Sequence, residues 1–137
     1  MADKQLSLFK KLKAAAPKLK LTAKKASGNK AEQRACDFLQ NKNLIIIEKN
    51  FSTKAGEVDL IMQDGETLVF VEVRYRKNSD FGGAAASVTP KKQQRIIKAA
   101  LAYQQKHAPQ SSMRFDVVAI EGDNMTINWI KSAFDGF

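Results

Sequence analysis

The sequence predicts an α/β domain built on one mixed sheet with a helix on each face. Three observations carry this. Apolar periodicity switches along the chain in the order helix, three strands, helix, two strands. The run Leu68-Val69-Phe70-Val71 is continuous rather than alternating, as in a strand covered on both faces. Three consecutive strands can pair as an antiparallel meander, and a helix can then cross over to bring the fourth strand beside the central one.

The chain has 137 residues, enough for one domain without covalent staples. Its net charge of +9 is uneven. Residues 1–27 hold eight lysines against Asp3, a net +7, so the remainder carries only +2. This divides the chain into a basic, flexible tail over 1–27 and a domain over 28–137, with Ser27-Gly28-Asn29 at the boundary. A lysine-rich arm binds polyanions by counterion release, or serves as a solvated extension. Leu6, Phe9, Leu12, Ala16 and Leu19 fall near helical spacing, so part of the tail can also form a short basic helix before Pro17. The one cysteine, Cys36, excludes an internal disulfide and a thiolate metal cluster, and fits a reducing cytosol. No apolar run approaches the ~20 residues of a membrane span, and no secretory signal is seen. The expected location is the cytoplasm, without integral membrane association.

The elements follow in order. Lys30–Asn41 is a helix with Ala31, Ala35, Phe38 and Leu39 as its buried stripe, capped by Ser27 or Asn29. In that frame Glu32 is a first-turn acid favoured by the helix dipole. Cys36 is a small buried or half-buried residue of the same helix. Strands follow at Leu44–Phe51, Gly56–Gln63 and Thr67–Arg76, the last two joined at the Asp64-Gly65 turn signal. Gly56 allows an abrupt entry into its strand. Lys77–Ser87 is a long loop. Thr89 caps a second helix with Pro90 in its first turn, running to about Lys106. Lys91, Lys92, Gln93, Gln94 and Arg95 crowd its opening turns, and His107 lies at its end as a surface residue. Arg114–Glu121, the turn Gly122-Asp123-Asn124 and Met125–Ile130 close the domain, with Trp129 in the core or along an edge.

Acidic residues sit inside both apolar strands of the central hairpin. Glu57 and Asp59 are two apart, as are Glu72 and Arg74, which places each pair on one strand face. A carboxylate buried in a strand is unfavourable unless something pairs with it or binds it. Asp59 and Glu72 can supply two oxygens to Mg²⁺ or Mn²⁺, with the Val73 carbonyl as a further ligand. Glu32 can complete or orient such a site. Arg74 can hold a phosphate, and Arg76, Lys92, Gln93 and Arg95 can reach a phosphate backbone or the attacking water. Glu57, just after Gly56, belongs at the strand rim. The same letters also fit a plain cross-strand ion pair of Glu57 or Asp59 with Arg74 or Arg76.

Gly56-Glu57-Val58-Asp59-Leu60-Ile61 followed by Phe70-Val71-Glu72-Val73-Arg74 resembles the YraN family of bacterial proteins. Further blocks carry the likeness: Gly28 to Leu39, Asn50, Phe81 to Val88, Arg114-Phe115-Asp116-Val117-Val118 and Trp129 to Phe134. That family is similar to the restriction-endonuclease-like superfamily, above all to archaeal Holliday junction resolvases. The resemblance implies an αβββαβ core, an acid on the first helix, Asp on the second strand and Glu-x-Lys on the third. Glu32, Asp59, Glu72 and Arg74 match those positions, with Arg standing where the superfamily has Lys. It implies a metal-dependent nuclease acting on DNA, branched or damaged DNA included, and a homodimer. The competing expectation is a catalytically idle nucleic-acid-binding protein on the same fold.

Overall fold

The structure is a computed structural model that describes residues 23–78 and 83–136. The element order is α1 (Ala23–Asn41), β1 (Ile45–Ser52), β2 (Glu57–Asp64), β3 (Thr67–Arg76), a 3-10 turn (Ala85–Ser87), α2 (Pro90–His107), β4 (Ser112–Glu121) and β5 (Thr126–Phe134). The five strands lie in the order β1-β2-β3-β4-β5, so β3 is central as its continuous apolar run predicts. β1, β2 and β3 form the antiparallel meander. The crossover through α2 places β4 parallel to β3, and β5 returns antiparallel at the edge.

α1 begins seven residues before the predicted start. It runs through Ser27-Gly28-Asn29, so neither Ser27 nor Asn29 caps it, and Glu32 lies in its third turn rather than its first. A single glycine inside a helix costs only about 1 kcal/mol and does not stop it. The predicted tail helix and the Phe81-Gly82 pair fall outside the described residues. The other end of α1 is defined by Asn43, at φ 71°. The Asn43 N–H donates to the Gln40 carbonyl at 3.0 Å and the Leu44 N–H to the Leu39 carbonyl at 3.1 Å. Leu39 and Leu44 then pack together in the core, completing a Schellman stop. α2 starts as predicted, with the Thr89 hydroxyl accepting from the Lys92 N–H at 3.3 Å and Pro90 in the first turn. Its end carries the exposed His107, whose ring lies 4.5 Å from that of Tyr103.

Each helix covers one face of the sheet. Ala31, Ala35, Cys36 and Leu39 of α1 pack on Leu60, Met62, Val69, Val71, Val73 and Val118. Ile96, Ala99, Ala100 and Tyr103 of α2 pack on Val58, Ile61, Leu68, Phe70 and Phe115. Burying each large side chain of this kind stabilises the fold by ~1.5–3 kcal/mol. Cys36 is buried, as predicted. Among the described residues no helix is long and apolar enough to cross a membrane.

Candidate active site

The site forms where the sheet alternation breaks. Val58 faces α2 and Leu60 faces α1, although they are two residues apart and should share a face. The same switch occurs on β1. Lys49 reaches α1, its Nζ 3.2 Å from the Gln33 side-chain oxygen, while Phe51 packs on Tyr103 of α2. Asn50 and Asp59 are the residues left between the paired positions Lys49–Leu60 and Phe51–Val58. Asn50 takes φ 54°, a conformation asparagine tolerates better than most side chains. The Glu57 and Asp59 charges both still act on Glu32 across the twist. Glu57 is exposed on the rim toward α2, and Asp59 turns toward the end of β3.

There Asp59 meets the backbone. The β2–β3 ladder ends at Leu60–Val71, and the next inward N–H, that of Val73, donates to Asp59 Oδ2 at 2.9 Å. Asp59 thus takes the place of a strand partner, and its carboxylate is fixed beside Glu72. No cross-strand ion pair of Glu57 or Asp59 with Arg74 or Arg76 forms among the described residues. The ion pairs converge on Glu72 instead: Arg74 Nε lies 3.8 Å and Lys92 Nζ 4.0 Å from Glu72 Oε1.

Glu72 is only 5% exposed. Burial, then repulsion from Asp59 and a proton shared with it, push its pKa up to about 8 against the pull of Lys92 and Arg74. Glu32 reaches the same cluster from α1. Burial and the Asp59 charge raise its pKa to about 7, while a hydrogen bond with Asn50 and the charge of Lys49 oppose the rise. The cluster is a set of carboxylates that repel one another in a medium that disfavours their charge. Among the described residues no three His, Cys, Asp or Glu side chains come close enough to enclose an ion. The donors on hand are therefore the Asp59–Glu72 pair and backbone oxygen, a hard-oxygen set suited to a cation that keeps most of its own water.

The cations surround this pair unequally. Arg74 is held by a 3.5 Å bond from Nη2 to the Ser87 carbonyl, and its buried Nε has no hydrogen-bond partner. Ser87 belongs to the 3-10 turn, which is anchored by a 2.8 Å bond from the Ala84 N–H to Glu121 Oε1. Lys92 and Arg95 line a notch of about 340 Å³ with Glu57, Thr89, Lys91 and Ile96. Beside the notch Gly56 lies against α2, where a Cβ would stand 2.2 Å from the Arg95 carbonyl oxygen. Gly56 stands directly before β2, as expected, and also permits this close approach to α2. The Gln93 amide donates to the Val88 carbonyl at 3.1 Å, next to the Ser87 carbonyl that holds Arg74. Arg76 is exposed at the end of β3, bonded to the Tyr75 carbonyl. Asn50 is the site residue that spacing alone misses.

A mixed sheet between two helices, with acids from the first helix and from the second and third strands, defines a restriction-endonuclease-like core. The family described as Uncharacterised protein family UPF0102 matches residues 31–120. The chain belongs to that family, which is the YraN family. It is 50% identical over 114 residues to a UPF0102 protein of Herminiimonas arsenicoxydans, covering 83% of this chain and 90% of that protein. The corresponding Coxiella burnetii protein is 54% identical over 110 residues, 79% of this chain and 91% of its own. A Vibrio vulnificus UPF0102 protein is 48% identical over 116 residues, 82% and 95% of the two chains.

Proposed function

We propose that the protein is a metal-dependent nuclease that hydrolyses phosphodiester bonds in DNA, with branched or damaged DNA as the candidate substrates. The observation that carries this reading is the buried Glu72 beside the half-buried Asp59, with no N–H donor to Glu72 among the described hydrogen bonds and two cations beside it. Two neighbouring carboxylates gain from a divalent cation, which removes their repulsion and releases the proton that Glu72 holds. Asp59 and Glu72 would hold Mg²⁺ or Mn²⁺, with the Val73 carbonyl as a further ligand. Such an ion supplies Lewis acidity toward a phosphoryl oxygen and lowers the pKa of a coordinated water.

The chain's own residues do the remaining work. The Val73 N–H holds one Asp59 oxygen at 2.9 Å and fixes the orientation of that carboxylate. Arg74 presents an unpaired Nε, a donor for the scissile phosphate and for the charge that develops on it. It cannot act as a base, because a guanidinium keeps its proton. Lys91, Lys92 and Arg95 offer phosphate contacts along the notch. Glu32, near neutrality in its titration, can accept or return a proton from a water beside Asp59.

The test is cleavage of junction, flap and duplex DNA by the purified protein in Mn²⁺. Cutting that disappears in Glu72→Ala supports the reading, and no cutting of any of the three refutes it. Arg74 in place of a titratable lysine favours a second reading, an idle nucleic-acid binder. That reading requires salt-sensitive DNA binding that is indifferent to Mg²⁺ and to Asp59→Ala.

A further inference from the structure

The α1 face of the sheet is incompletely covered. Beyond the edge of α1, Ile127 and Trp129 of β5 remain half-buried. A groove of about 450 Å³ runs there between α1 and the β4–β5 hairpin. Phe38, Met125 and Ile127 line it, and the Trp129 ring meets Phe38 edge-on at 6.1 Å. Cations ring this apolar floor. Lys30 and Arg34 line the groove, and Arg34 Nε donates to the Met125 carbonyl at 2.9 Å. The Lys42 and Lys131 ammonium groups stand 5.5 and 4.4 Å over the Phe38 and Trp129 rings. The one carboxylate in the lining, Asp37, accepts from the Gln33 amide at 2.9 Å.

Four cations and one engaged carboxylate around an apolar floor complement an anionic partner that also carries apolar side chains. A second copy docking through the same face fits poorly, because it would set the same four cations against one another. A single-stranded nucleic acid binds such surfaces by stacking bases on open ring faces. Here a lysine stands over each ring, and the Trp129 indole N–H is spent on Asp116 at 3.0 Å. Methionine, isoleucine and phenylalanine are instead the adaptable floor of a peptide groove. β5 lies at the edge of the sheet, so its outer main-chain groups run beside the groove and can pair with an extended peptide.

We propose that this groove docks an acidic segment of a partner protein that carries aliphatic or aromatic side chains among its carboxylates. The groove lies on the α1 face, whereas the Lys91–Arg95 notch is built on α2, so docking leaves the notch open.

Trp129 is the only tryptophan in the chain, so its emission reports on the groove directly. The probe is a synthetic peptide alternating Asp-Leu and Glu-Phe units, titrated into the full chain. A shift in Trp129 emission is expected, weakened about tenfold or more by Ile127→Asp, by Arg34→Glu and by raised salt. Thermal melts of both variants check that they fold. Three results overturn the proposal: no change in emission, equal binding of an Asp/Glu/Ser peptide without apolar residues, or displacement of the probe by oligothymidylate. Concentration-dependent dimerisation abolished by Ile127→Asp also overturns it, in favour of a second copy. None of these readouts depends on DNA cleavage, so the groove and the nuclease reading stand or fall separately.

Discussion

Replacing Glu72 by glutamine should stabilise the metal-free protein at alkaline pH. The folded-state pKa of Glu72 is raised from 4.5 to about 8. Its contribution to stability is therefore fully present below about pH 4.5 and is lost as pH rises through about 8, because the folded state binds a proton that the unfolded chain has released. Each pKa unit is worth ~1.4 kcal/mol. Lys92, 37% exposed and 4.0 Å away, is free to close on the ionised carboxylate and offset part of the penalty. What remains is on the order of 3 kcal/mol, in line with the several kcal/mol typical of a buried ion after relaxation. At ~4 °C per kcal/mol for a domain of this size, that is on the order of 10 °C in Tm. The assay is thermal melting in EDTA at pH 6 and pH 9, for the wild type and Glu72→Gln. The wild type should melt lower at pH 9, and the variant should lose most of that difference. Mn²⁺ should restore the wild type at pH 9 and leave the variant unmoved. Equal wild-type melting temperatures at the two pH values, or a variant that keeps the full difference, would refute the view of Glu72 as an under-compensated buried acid.

Other outcomes follow from the same geometry. Gly56→Ala should lower the denaturant midpoint by an amount equivalent to ~1–3 kcal/mol, since its Cβ would meet the Arg95 backbone rather than a movable side chain. Asn50→Ala removes a hydrogen bond that holds the Glu32 pKa down, so NMR titration of Glu32 should show its midpoint rising above about 7. Asn50→Gly tolerates the φ of 54° equally well and should give the same rise with a smaller loss of stability. Arg114→Met should cost ~3–5 kcal/mol by chemical denaturation, because it strands the fully buried Asp116.

Much of this is legible in the sequence because it rests on local pattern. The continuous Leu68–Val71 run identifies the central strand, the limits Thr67–Arg76 agree with the structure, and Thr89-Pro90 marks the start of α2. The start of α1 was not legible, since the segment between Pro17 and Lys30 holds no breaker stronger than Gly28, and a single glycine does not stop a helix. Period-two reasoning brought Glu72 and Arg74 together correctly, 3.8 Å apart, because β3 alternates regularly there. It could not foresee the coupled twist at Asn50 and Asp59, which is a property of two paired strands. The role of Asp116 was hidden for a similar reason: two of its partners, Trp129 and Ser132, lie 13 and 16 residues away on β5.

Asp116 and Glu72 together give the strongest argument about the site. Both are acids buried in the central strands of one sheet, at 0% and 5% exposure. Asp116 is satisfied. The Arg114 guanidinium grips it with two bonds of 3.0 Å, and the Trp129 indole and Ser132 N–H donate at 3.0 Å each. Arg114 is itself held at 2.9 Å by Asp64, so the network closes and ties β2, β4 and β5 together. This is how the fold accommodates a carboxylate that has only a structural task. Glu72 receives no such treatment. Its nearest cations stop at 3.8 and 4.0 Å, its carboxylate neighbour repels it, and the adjacent Arg74 Nε is left without an acceptor. An unpaired donor beside an under-compensated acid is an unfavourable arrangement that closer ion pairing would relieve. The proposed nuclease reading accounts for it, because there the bound ligand would supply both missing partners, a cation for the carboxylates and an anionic oxygen for Arg74. A phosphodiester bound with a divalent metal ion has that composition.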